Sequence, residues 1–467
     1  MTHYDLVVIG TGSGNSIVNH RFADWKVAIV ERGTFGGTCL NKGCIPTKMF
    51  VHTADVAATP AGSARYGVDE ELTGVRWADV RDRIFGRIDP ISAAGSEYRH
   101  HNPENANVTV YDGTGRFTGV KELTVEGNDG ATSVVTGDRF VLAAGSRPVI
   151  PPIMGLEETG FHTSDTIMRL DELPRRLAIL GSGFVAAEFA HVFSSFGVEV
   201  TLIARSKTLL RGEDAEIAEH FTEIARGKYD VRLQHETVRA TRRPDGAIEL
   251  MMLHPEGKQL LVVDELLVAV GRTPNADLLN PQATGVEVDR EGRVVVDEYQ
   301  QTAVDGIYAL GDLTSPHQLK HVANHEARVV KHNLIEPENR IKSDHRFVPH
   351  AVFSSPQIAA VGLTEAEAQE QGIDYVVSRQ KYADIAYGWA MEDTTGFAKL
   401  LADPNTGQLL GAHILGPQAS TVIQPLIQAM SFGLGAYEMA RNQYWIHPAM
   451  PELIENALLA LPLTPKS

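Results

Sequence analysis

The stretch YDLVVIGTGSGN, residues 4–15, decides the fold. Its apolar run at residues 4–9 has the pattern of a buried strand, and Gly10, Gly12 and Gly14 follow at once. Residues 17–22, IVNHRF, are helix-like. Such a turn brings backbone N–H groups against a pyrophosphate, because a side chain in place of glycine would hold the phosphates away. The sequence therefore predicts a strand, glycine turn and helix that bind a dinucleotide.

A second strand supports this interpretation. Residues 26–30, KVAIV, end in Glu31, about 20 residues after the turn, where a carboxylate can accept hydrogen bonds from ribose hydroxyls. The third glycine of the usual pattern, which lets the helix pack closely on the strand, falls on Asn15. We expect Gly14 beside it to relieve the crowding.

The same unit occurs a second time. RLAIL at 176–180 leads into Gly181 and Gly183, with the small Ala186 at the third position, and the strand VEVTLI follows at 198–203. Each unit is followed by a stretch in which apolar and polar residues alternate, and the two stretches end in similar sequences, VLAAGSRP at 141–148 and LLVAVGRTPN at 266–275. The sequence thus predicts a duplication and two bound dinucleotides.

The second unit differs from the first at the end of its second strand. Residues 203–211 read IARSKTLLR, so Arg205 and Arg211 stand where an NAD-binding protein has an acid. A guanidinium binds a 2′-phosphate that a carboxylate would repel, which favours NADPH. The alternative of two arginines on a solvated loop stays open at this point. Glu31 in the first unit suits an adenosine without that phosphate.

Length and charge limit the remaining possibilities. The 467 residues are enough for about three domains of roughly 150 residues each. A net charge of −17 disfavours nucleic acid and anionic membranes as partners. The sequence contains no apolar run of about 18 residues, and it starts directly with a strand pattern, so we expect a cytoplasmic protein with no membrane partner.

The chain contains only two cysteines, Cys39 and Cys44, in GGTCLNKGCIPTK at 36–48. A structural disulfide is disfavoured in a reducing compartment, and zinc would need a second ligand pair. The cysteines are therefore catalytic or incidental. His317, His321 and His325 share a predicted helix face, but no carboxylate or cysteine set completes a metal shell, so we predict no metal.

Five motifs in order carry a resemblance that spans essentially the whole chain. They are the cysteine segment, the two glycine turns, TAVDGIYALGD at 302–312 and IHPAMPE at 446–452. Together they resemble the class I pyridine nucleotide-disulfide oxidoreductases of the glutathione reductase and lipoamide dehydrogenase type. The resemblance implies an α/β fold with two Rossmann-like dinucleotide-binding domains and a C-terminal α/β dimerisation domain. The implied bounds are 1–147 with 264–335 for FAD, 148–263 for NADPH, and 336–467 for the interface domain.

The resemblance also assigns cofactor-binding residues. Asp312 matches the residue that hydrogen-bonds the ribityl chain of the flavin. Lys48 and Glu188 match an ion pair close to the reactive nitrogen of the flavin. The other FAD positions are Gly10, Gly12, Gly14, Glu31, Thr38 and Gly145, and the NADPH side has Gly181, Gly183, Arg205, Arg211 and Gly271.

The cysteine pair acquires a role in this setting. The flavin accepts a hydride from NADPH on one face, and a dithiol on the other face passes two electrons to a disulfide too large to reach the ring. By resemblance, Cys39 attacks the substrate and forms a mixed disulfide, while Cys44 contacts the flavin and resolves that intermediate. Because exchange needs a thiolate, a base is required. His447 is the implied base and Glu452 orients it, and in the family this segment comes from the other subunit of an obligatory homodimer.

The substrate is predicted from local resemblances. Residues 34–50, 386–396, 410–420 and 443–449 resemble those of mycothione reductases, which reduce the disulfide of mycothiol, a cysteine attached to an aminosugar and inositol. Trp389, Gln443, Tyr444 and Trp445 can contact the sugar or can form the dimer interface, and both interpretations stay open.

Three alternatives remain. An NAD-linked dihydrolipoamide dehydrogenase conflicts with Arg205 and Arg211. A glutathione-type reductase keeps NADPH but lacks the local resemblances. A redox-sensing flavoprotein that binds partners is a non-enzymatic possibility, in which His447 and Glu452 would have no obvious duty.

Overall fold

The first 148 residues form an α/β unit around a parallel sheet. The structure is a computed structural model and describes residues 1–463. The elements are β1 (Thr2–Ile9), β2 (Val27–Glu31), α1 (Gly37–Asn41), α2 (Cys44–Ala58), α3 (Pro60–Ser63), α4 (Trp77–His101), β3 (Val108–Gly119), β4 (Glu122–Gly127), β5 (Thr132–Leu142) and β6 (Ser146–Pro148). Strand β1, which contains the apolar run predicted as a buried strand, lies between β2 and β5 and runs parallel to both, while β4 is antiparallel to β3 and β5.

The second unit repeats this arrangement. Its elements are β7 (Arg176–Leu180), α5 (Phe184–Ser195), β8 (Glu199–Ile203), α6 (Ala215–Arg226), β9 (Asp230–Arg232), β10 (Glu236–Arg242), β11 (Ile248–His254), β12 (Gly257–Val263) and β13 (Glu265–Val268). The parallel sheet has the order β13-β7-β8-β9, and β10 to β12 form a separate antiparallel sheet. Because β13 pairs with β7, we propose that the return to the first domain falls after Val268 rather than at residue 264.

The chain then returns to the first sheet. This segment contains β14 (Arg272–Pro274), α7 (Ala276–Leu279), β15 (Ile307–Ala309) and α8 (Lys320–Ile335). Strand β15 pairs in parallel with β5, so the second unit is inserted into the first. Strand β14 pairs with β6, which brings the two similar phrases of the sequence side by side, with Thr273 opposite Arg147.

The last segment forms an antiparallel sheet with helices packed on it. Its elements are β16 (His350–Val352), β17 (Gln357–Gly362), α9 (Glu365–Glu370), β18 (Val376–Lys381), α10 (Ala386–Ala390), β19 (Phe397–Ala402), β20 (Leu409–Gly416), α11 (Ala419–Val422), α12 (Gln424–Phe432), α13 (Ala436–Arg441) and α14 (Glu452–Leu459). The order of the strands in the sheet is β16-β17-β20-β19-β18. None of the helices within residues 1–463 is long and apolar enough to cross a membrane.

The helix predicted after the first glycine turn is absent, so that prediction is wrong. Two short 3-10 turns, Gly14–Ser16 and His20–Phe22, take its place. The buried Arg99 of α4 donates from Nε to Oδ1 of Asn15 at 2.8 Å and from Nη2 to the carbonyl oxygens of Asn15 and Val18 at 2.9 Å each. A regular helix would use those two carbonyl oxygens for its own hydrogen bonds.

Candidate functional site

One cavity of about 1690 Å³ runs between the first and second glycine turns. Its volume exceeds the roughly 300–1,000 Å³ of a pocket for one small ligand, which suits a site for more than one. Among the predicted site residues, the cavity is lined by Gly10, Gly12, Glu31, Thr38, Cys39, Cys44, Lys48, Gly145, Gly181, Gly183, Glu188, Arg205, Arg211, Gly271 and Asp312. The exceptions are Gly14, His447 and Glu452.

The two glycine turns have the same geometry. A Cβ at Gly10, whose φ is +103°, would collide with the carbonyl oxygen of Ala143. A Cβ at Gly181, whose φ is +144°, would collide with the carbonyl oxygen of Ala269. Both positions therefore require glycine, and each turn leaves its backbone open towards the cavity in the way a pyrophosphate needs.

Gly14 contributes packing. It is buried, and a Cβ there would lie 2.8 Å from Cβ of Ala143 and 3.2 Å from Cγ1 of Val8. Gly14 thus provides the close approach that the missing third glycine at position 15 would otherwise supply.

The carboxylate of Glu31, at the end of β2, fixes the first glycine turn. The backbone N–H and the hydroxyl of Thr11 donate to its Oε2 at 2.8 and 2.7 Å, and the N–H of Gly33 donates to its Oε1 at 2.8 Å. A carboxylate has about four acceptor positions, so Glu31 keeps capacity for the hydroxyls of a ribose.

Cys39 lies in α1 and Cys44 is the first residue of α2, and both are free thiols. The hydrogen bond between the two sulfurs and burial raise the pKa of Cys39. The same hydrogen bond lowers the pKa of Cys44 to about 7 against the effect of burial, and the charge of Lys48 lowers it further. The pair therefore keeps a proton on Cys39, while Cys44 carries a negative charge above about pH 7.

Lys48 and Glu188 form the expected ion pair. The ammonium lies 2.7 Å from Oε1 and 2.6 Å from Oε2 of Glu188, whose side chain is 4% exposed. The backbone N–H of Phe353 also donates to Oε1 at 3.0 Å, and the ammonium lies 4.5 Å from the centre of the Phe353 ring. The pair thereby joins α2 of the first unit, α5 of the second and the start of the last segment.

Asp312 lies in a 3-10 turn, Gly311–Leu313, just after β15. The hydroxyl of Ser146 donates to its Oδ2 at 2.6 Å, and Nε of Arg272 donates to the Ser146 hydroxyl at 2.8 Å. Sequence reasoning missed Ser146 and Arg272. The recurrence of SRP and GRTP in the two similar phrases was the available signal, because these phrases form the β6 and β14 pair.

Arg205 and Arg211 follow β8, and their side chains are exposed at the cavity. Among residues 1–463, no carboxylate lies within 4 Å of either guanidinium. By contrast, Arg176 of the same domain is paired with Asp264 at 2.6 Å. The two arginines are thus available to an anionic ligand.

The histidine and carboxylate near the C-terminus are in direct contact. Nδ1 of His447 lies 2.5 Å from Oε1 of Glu452, the first residue of α14. Glu452 is 14% exposed, whereas the His447 side chain is 69% exposed and outside the lining of the cavity. Within one chain, the structure therefore does not bring the predicted base to Cys39.

The aromatic residues of the same segment differ in burial. Tyr444 and Trp389 are exposed, whereas Trp445 packs against the core of the last segment and donates from Nε1 to the carbonyl oxygen of Ala440 at 3.3 Å. Gln443 donates to the carbonyl oxygen of Met439 at 3.1 Å. Tyr444 and Trp389 are thus free to contact another molecule.

The prediction that His317, His321 and His325 share a helix face is wrong for His317. His317 precedes α8, Nε2 of His321 lies 2.8 Å from the carbonyl oxygen of Pro349, and Nε2 of His325 accepts from the N–H of Asp344 at 3.1 Å. In the part of the chain that the structure describes, no three potential ligands are arranged to hold a metal ion.

Comparison with known proteins gives matches along the whole chain. Residues 4–327 match the family model of pyridine nucleotide-disulphide oxidoreductases, and residues 348–458 match the dimerisation domain of the same family. The mycothione reductase of Mycobacterium tuberculosis is 54% identical over 99% of this chain and 100% of the relative. The dihydrolipoyl dehydrogenase of Corynebacterium glutamicum is 32% identical, with 97% of each chain covered.

A solved structure is also similar. The HOCl-induced flavoprotein disulfide reductase RclA from Escherichia coli matches with a TM-score of 0.84 and 30% identity over 98% of this chain and 99% of the other. These matches confirm the predicted fold class and the prediction of a flavin-dependent disulfide oxidoreductase, and they imply FAD and NADPH as cofactors. The chain is an enzyme that belongs to the pyridine nucleotide-disulphide oxidoreductase family.

Proposed function

We propose that this enzyme reduces mycothione to mycothiol with NADPH, through FAD and the Cys39–Cys44 pair. The choice of substrate is supported by 54% identity to a mycothione reductase over nearly the full length of both chains, against 32% to a dihydrolipoyl dehydrogenase. The chemistry is supported by one observation: Cys39 and Cys44 are free thiols that line the same cavity as both glycine turns, and the hydrogen bond between them raises the pKa of Cys39 and lowers that of Cys44.

The first glycine turn fits FAD. Gly10 and Gly12 leave room for the pyrophosphate, Glu31 accepts from the adenosine ribose, and Asp312 accepts from the ribityl chain. Thr38 and Gly145 line the same part of the cavity. When bound, FAD transfers the electron pair of NADPH to the cysteines.

The second turn, with Gly181, Gly183 and Gly271, takes NADPH, and Arg205 and Arg211 bind its 2′-phosphate. This assignment is supported by the two unpaired guanidinium groups at the end of β8. The NAD-linked alternative would leave those charges without a ligand.

The cysteine pair passes two electrons from the hydride to the substrate disulfide. A hydride equivalent delivers two electrons and one proton, which convert the Cys39–Cys44 disulfide into a thiol on Cys39 and a thiolate on Cys44. His447 then takes the proton of Cys39, whose thiolate attacks one sulfur of mycothione and expels the first mycothiol thiolate. Protonated His447 returns the proton to that leaving group.

Cys44 completes the cycle. Its thiolate attacks the sulfur of Cys39 in the mixed disulfide, which reforms the Cys39–Cys44 disulfide and releases the second mycothiol, protonated by water. Glu452 holds the His447 ring through the Nδ1 contact, which leaves Nε2 for the proton transfer.

We infer that the active enzyme is a homodimer in which His447 of the partner subunit serves each cysteine pair. The exposed position of His447 outside the cavity supports this, as do the exposed side chains of Tyr444 and Ile446 beside it and the match to a dimerisation domain. We further propose that the enzyme works in the cytoplasm, where disulfides are usually catalytic.

The test is NADPH and NADH consumption by the purified holoenzyme with mycothione, glutathione disulfide and lipoamide in parallel. We expect strong turnover only with NADPH and mycothione. Preferential turnover of another disulfide would overturn the choice of substrate and leave the mechanism intact, and equal use of NADH would overturn the arginine assignment.

A further inference from the structure

Lys320, the first residue of α8, lies on the wall of the cavity that Cys39 and Cys44 also line. Its ammonium donates to the hydroxyl of Ser13 at 2.9 Å, and that hydroxyl donates to Oδ1 of Asn324 at 3.0 Å. Ser13 is buried within the first glycine turn. The turn and the helix therefore hold the ammonium in one place, and this residue has no part in the mechanism described above.

Lys320 differs from the other lysines of the cavity in its charge balance. Among residues 1–463, three lysines line the cavity. Lys42 lies 3.5 Å from Asp165, and Lys48 lies 2.6 Å from Glu188. No carboxylate of the described residues lies within 4 Å of Lys320. The lysine charge that remains uncompensated on this wall is therefore that of Lys320.

The cavity lining near α8 also includes His317, His321 and His350. His350 lies 2.9 Å from Glu213, and His321 contacts the carbonyl oxygen of Pro349. Burial lowers the pKa of His317, which favours its neutral form. A charge on His350 is therefore balanced by Glu213, and a charge on His317 is disfavoured. Arg205 and Arg211, which line the cavity without a carboxylate partner among the described residues, follow β8 in the second unit.

The ammonium acts on both sulfurs. The hydrogen bond from Cys39 lowers the pKa of Cys44 most, burial opposes it, and the charges of Lys48 and Lys320 lower it further. The charge of Lys320 also lowers the pKa of Cys39, against the hydrogen bond and burial that raise it. The charge of Lys48 lowers the pKa of Cys44 more than the charge of Lys320 does, but Lys48 is paired with Glu188, whereas no carboxylate of the described residues lies within 4 Å of Lys320.

We propose that Lys320 is the electrostatic partner of the negative charge that reduction leaves on the Cys39–Cys44 pair. The inference rests on the proposed function, since it requires a reducible pair. One hydride equivalent supplies two electrons and one proton, so the reduced pair carries one thiol, one thiolate and one negative charge more than the disulfide. A fixed ammonium without a carboxylate stabilises that charge.

The test is a pH titration of the holoenzyme after reduction with dithiothreitol. The absorbance of the thiolate reports the ionisation of Cys44 at each pH. The Cys44→Ser variant, measured in the same way, gives the absorbance change that does not come from Cys44. Lys320→Met and Lys320→Gln remove the charge, and Lys320→Arg keeps it. The matched control is Lys331→Met, which removes a lysine charge from the same helix at a residue outside the cavity lining.

We expect the wild type to titrate near pH 7 and both neutral variants to titrate about half a pH unit higher, with about twofold less thiolate at neutral pH, because the charge of Lys48 remains. Lys320→Arg and Lys331→Met should titrate like the wild type. An unchanged midpoint in both neutral variants, or an equal shift in Lys331→Met, overturns the proposal for Lys320. If dithiothreitol produces no thiolate that Cys44→Ser abolishes, the reducible pair is absent and the proposed function falls with it.

Discussion

The ammonium of Lys48 lies 2.6 Å from Oε2 of Glu188, across the boundary between the two nucleotide-binding units. Lys48 is one helical turn after Cys44 on α2, and Glu188 lies on α5 directly after the second glycine turn. The helix that carries the thiolate is therefore tied to the helix that starts at the proposed NADPH site.

Replacing Glu188 with glutamine should weaken this connection. The amide keeps the shape but leaves the Lys48 ammonium without its anion, and the buried position makes that loss larger than for a surface pair. Because the lysine side chain is 35% exposed, water compensates part of the loss, and we expect a cost of about 1–3 kcal/mol.

The measurement is the midpoint of thermal unfolding of the holoenzyme, together with the rate of flavin reduction by NADPH. Glu199→Gln is the matched control, because it removes a carboxylate from an exposed pair with Arg175 in the same domain. Equal midpoints for the two variants would contradict a special role for the Lys48 and Glu188 pair.

Cys39→Ser should separate the two half-reactions. The variant loses the sulfur that attacks the substrate, so disulfide reduction should fall to background, whereas NADPH should still reduce the flavin at close to the wild-type rate. Stopped-flow absorbance measures the second step and NADPH consumption with mycothione measures the first. Retained turnover in Cys39→Ser would refute the role of the cysteine pair.

Arg205→Gln combined with Arg211→Gln should change the preference between the two nucleotides. Each guanidinium contributes a charge-assisted hydrogen bond to a 2′-phosphate, so the loss of both should lower kcat/KM for NADPH by about 100-fold or more. NADH lacks that phosphate, and its kcat/KM should change by less than about threefold, since no such bond is lost. Steady-state kinetics with both nucleotides provides the measurement.

Lys207→Gln is the control for this prediction. Lys207 lies in the same loop and is exposed, but it is not part of the cavity lining. If kcat/KM fell equally for NADPH and NADH in the double variant, the arginines would maintain the shape of the loop and would not bind the 2′-phosphate.

The features that the sequence predicted well lie in its motifs. Gly10 and Gly181 follow directly on apolar strands and have positive φ, although the carbonyl oxygens that a side chain there would meet belong to the distant Ala143 and Ala269. Lys48 and Glu188 were placed together by motif position alone, and the structure brings them into contact.

The features that the sequence did not reveal depend on distant residues. The helix after the first turn is replaced because Arg99, more than 80 residues away, binds the carbonyl oxygens of Asn15 and Val18. The contact between Lys320 and Ser13 joins residues 307 positions apart. The pattern of apolar and polar residues within one segment does not predict contacts between side chains that are so far apart in the sequence.

The orientation of His447 leads to a decisive test by mixing two inactive variants, Cys39→Ser and His447→Ala. Since the His447 side chain is 69% exposed and lies outside its own cavity, it should act on the cysteine pair of the other subunit. In a mixed dimer, one site then combines an intact Cys39 with an intact His447, and the other site lacks both. The mixed dimer should therefore recover one of its two sites, or about half of the wild-type activity.

Co-expression with two different affinity tags isolates the mixed dimer, and NADPH consumption with mycothione measures its activity. The two parent homodimers should be inactive, and a doubly tagged wild-type dimer sets the full activity. If His447 acted within its own chain, each site of the mixed dimer would lack one essential group, and the mixture would be as inactive as its parents. Recovery of activity therefore requires that the proton donor cross the dimer interface, because no arrangement within one chain can restore either site.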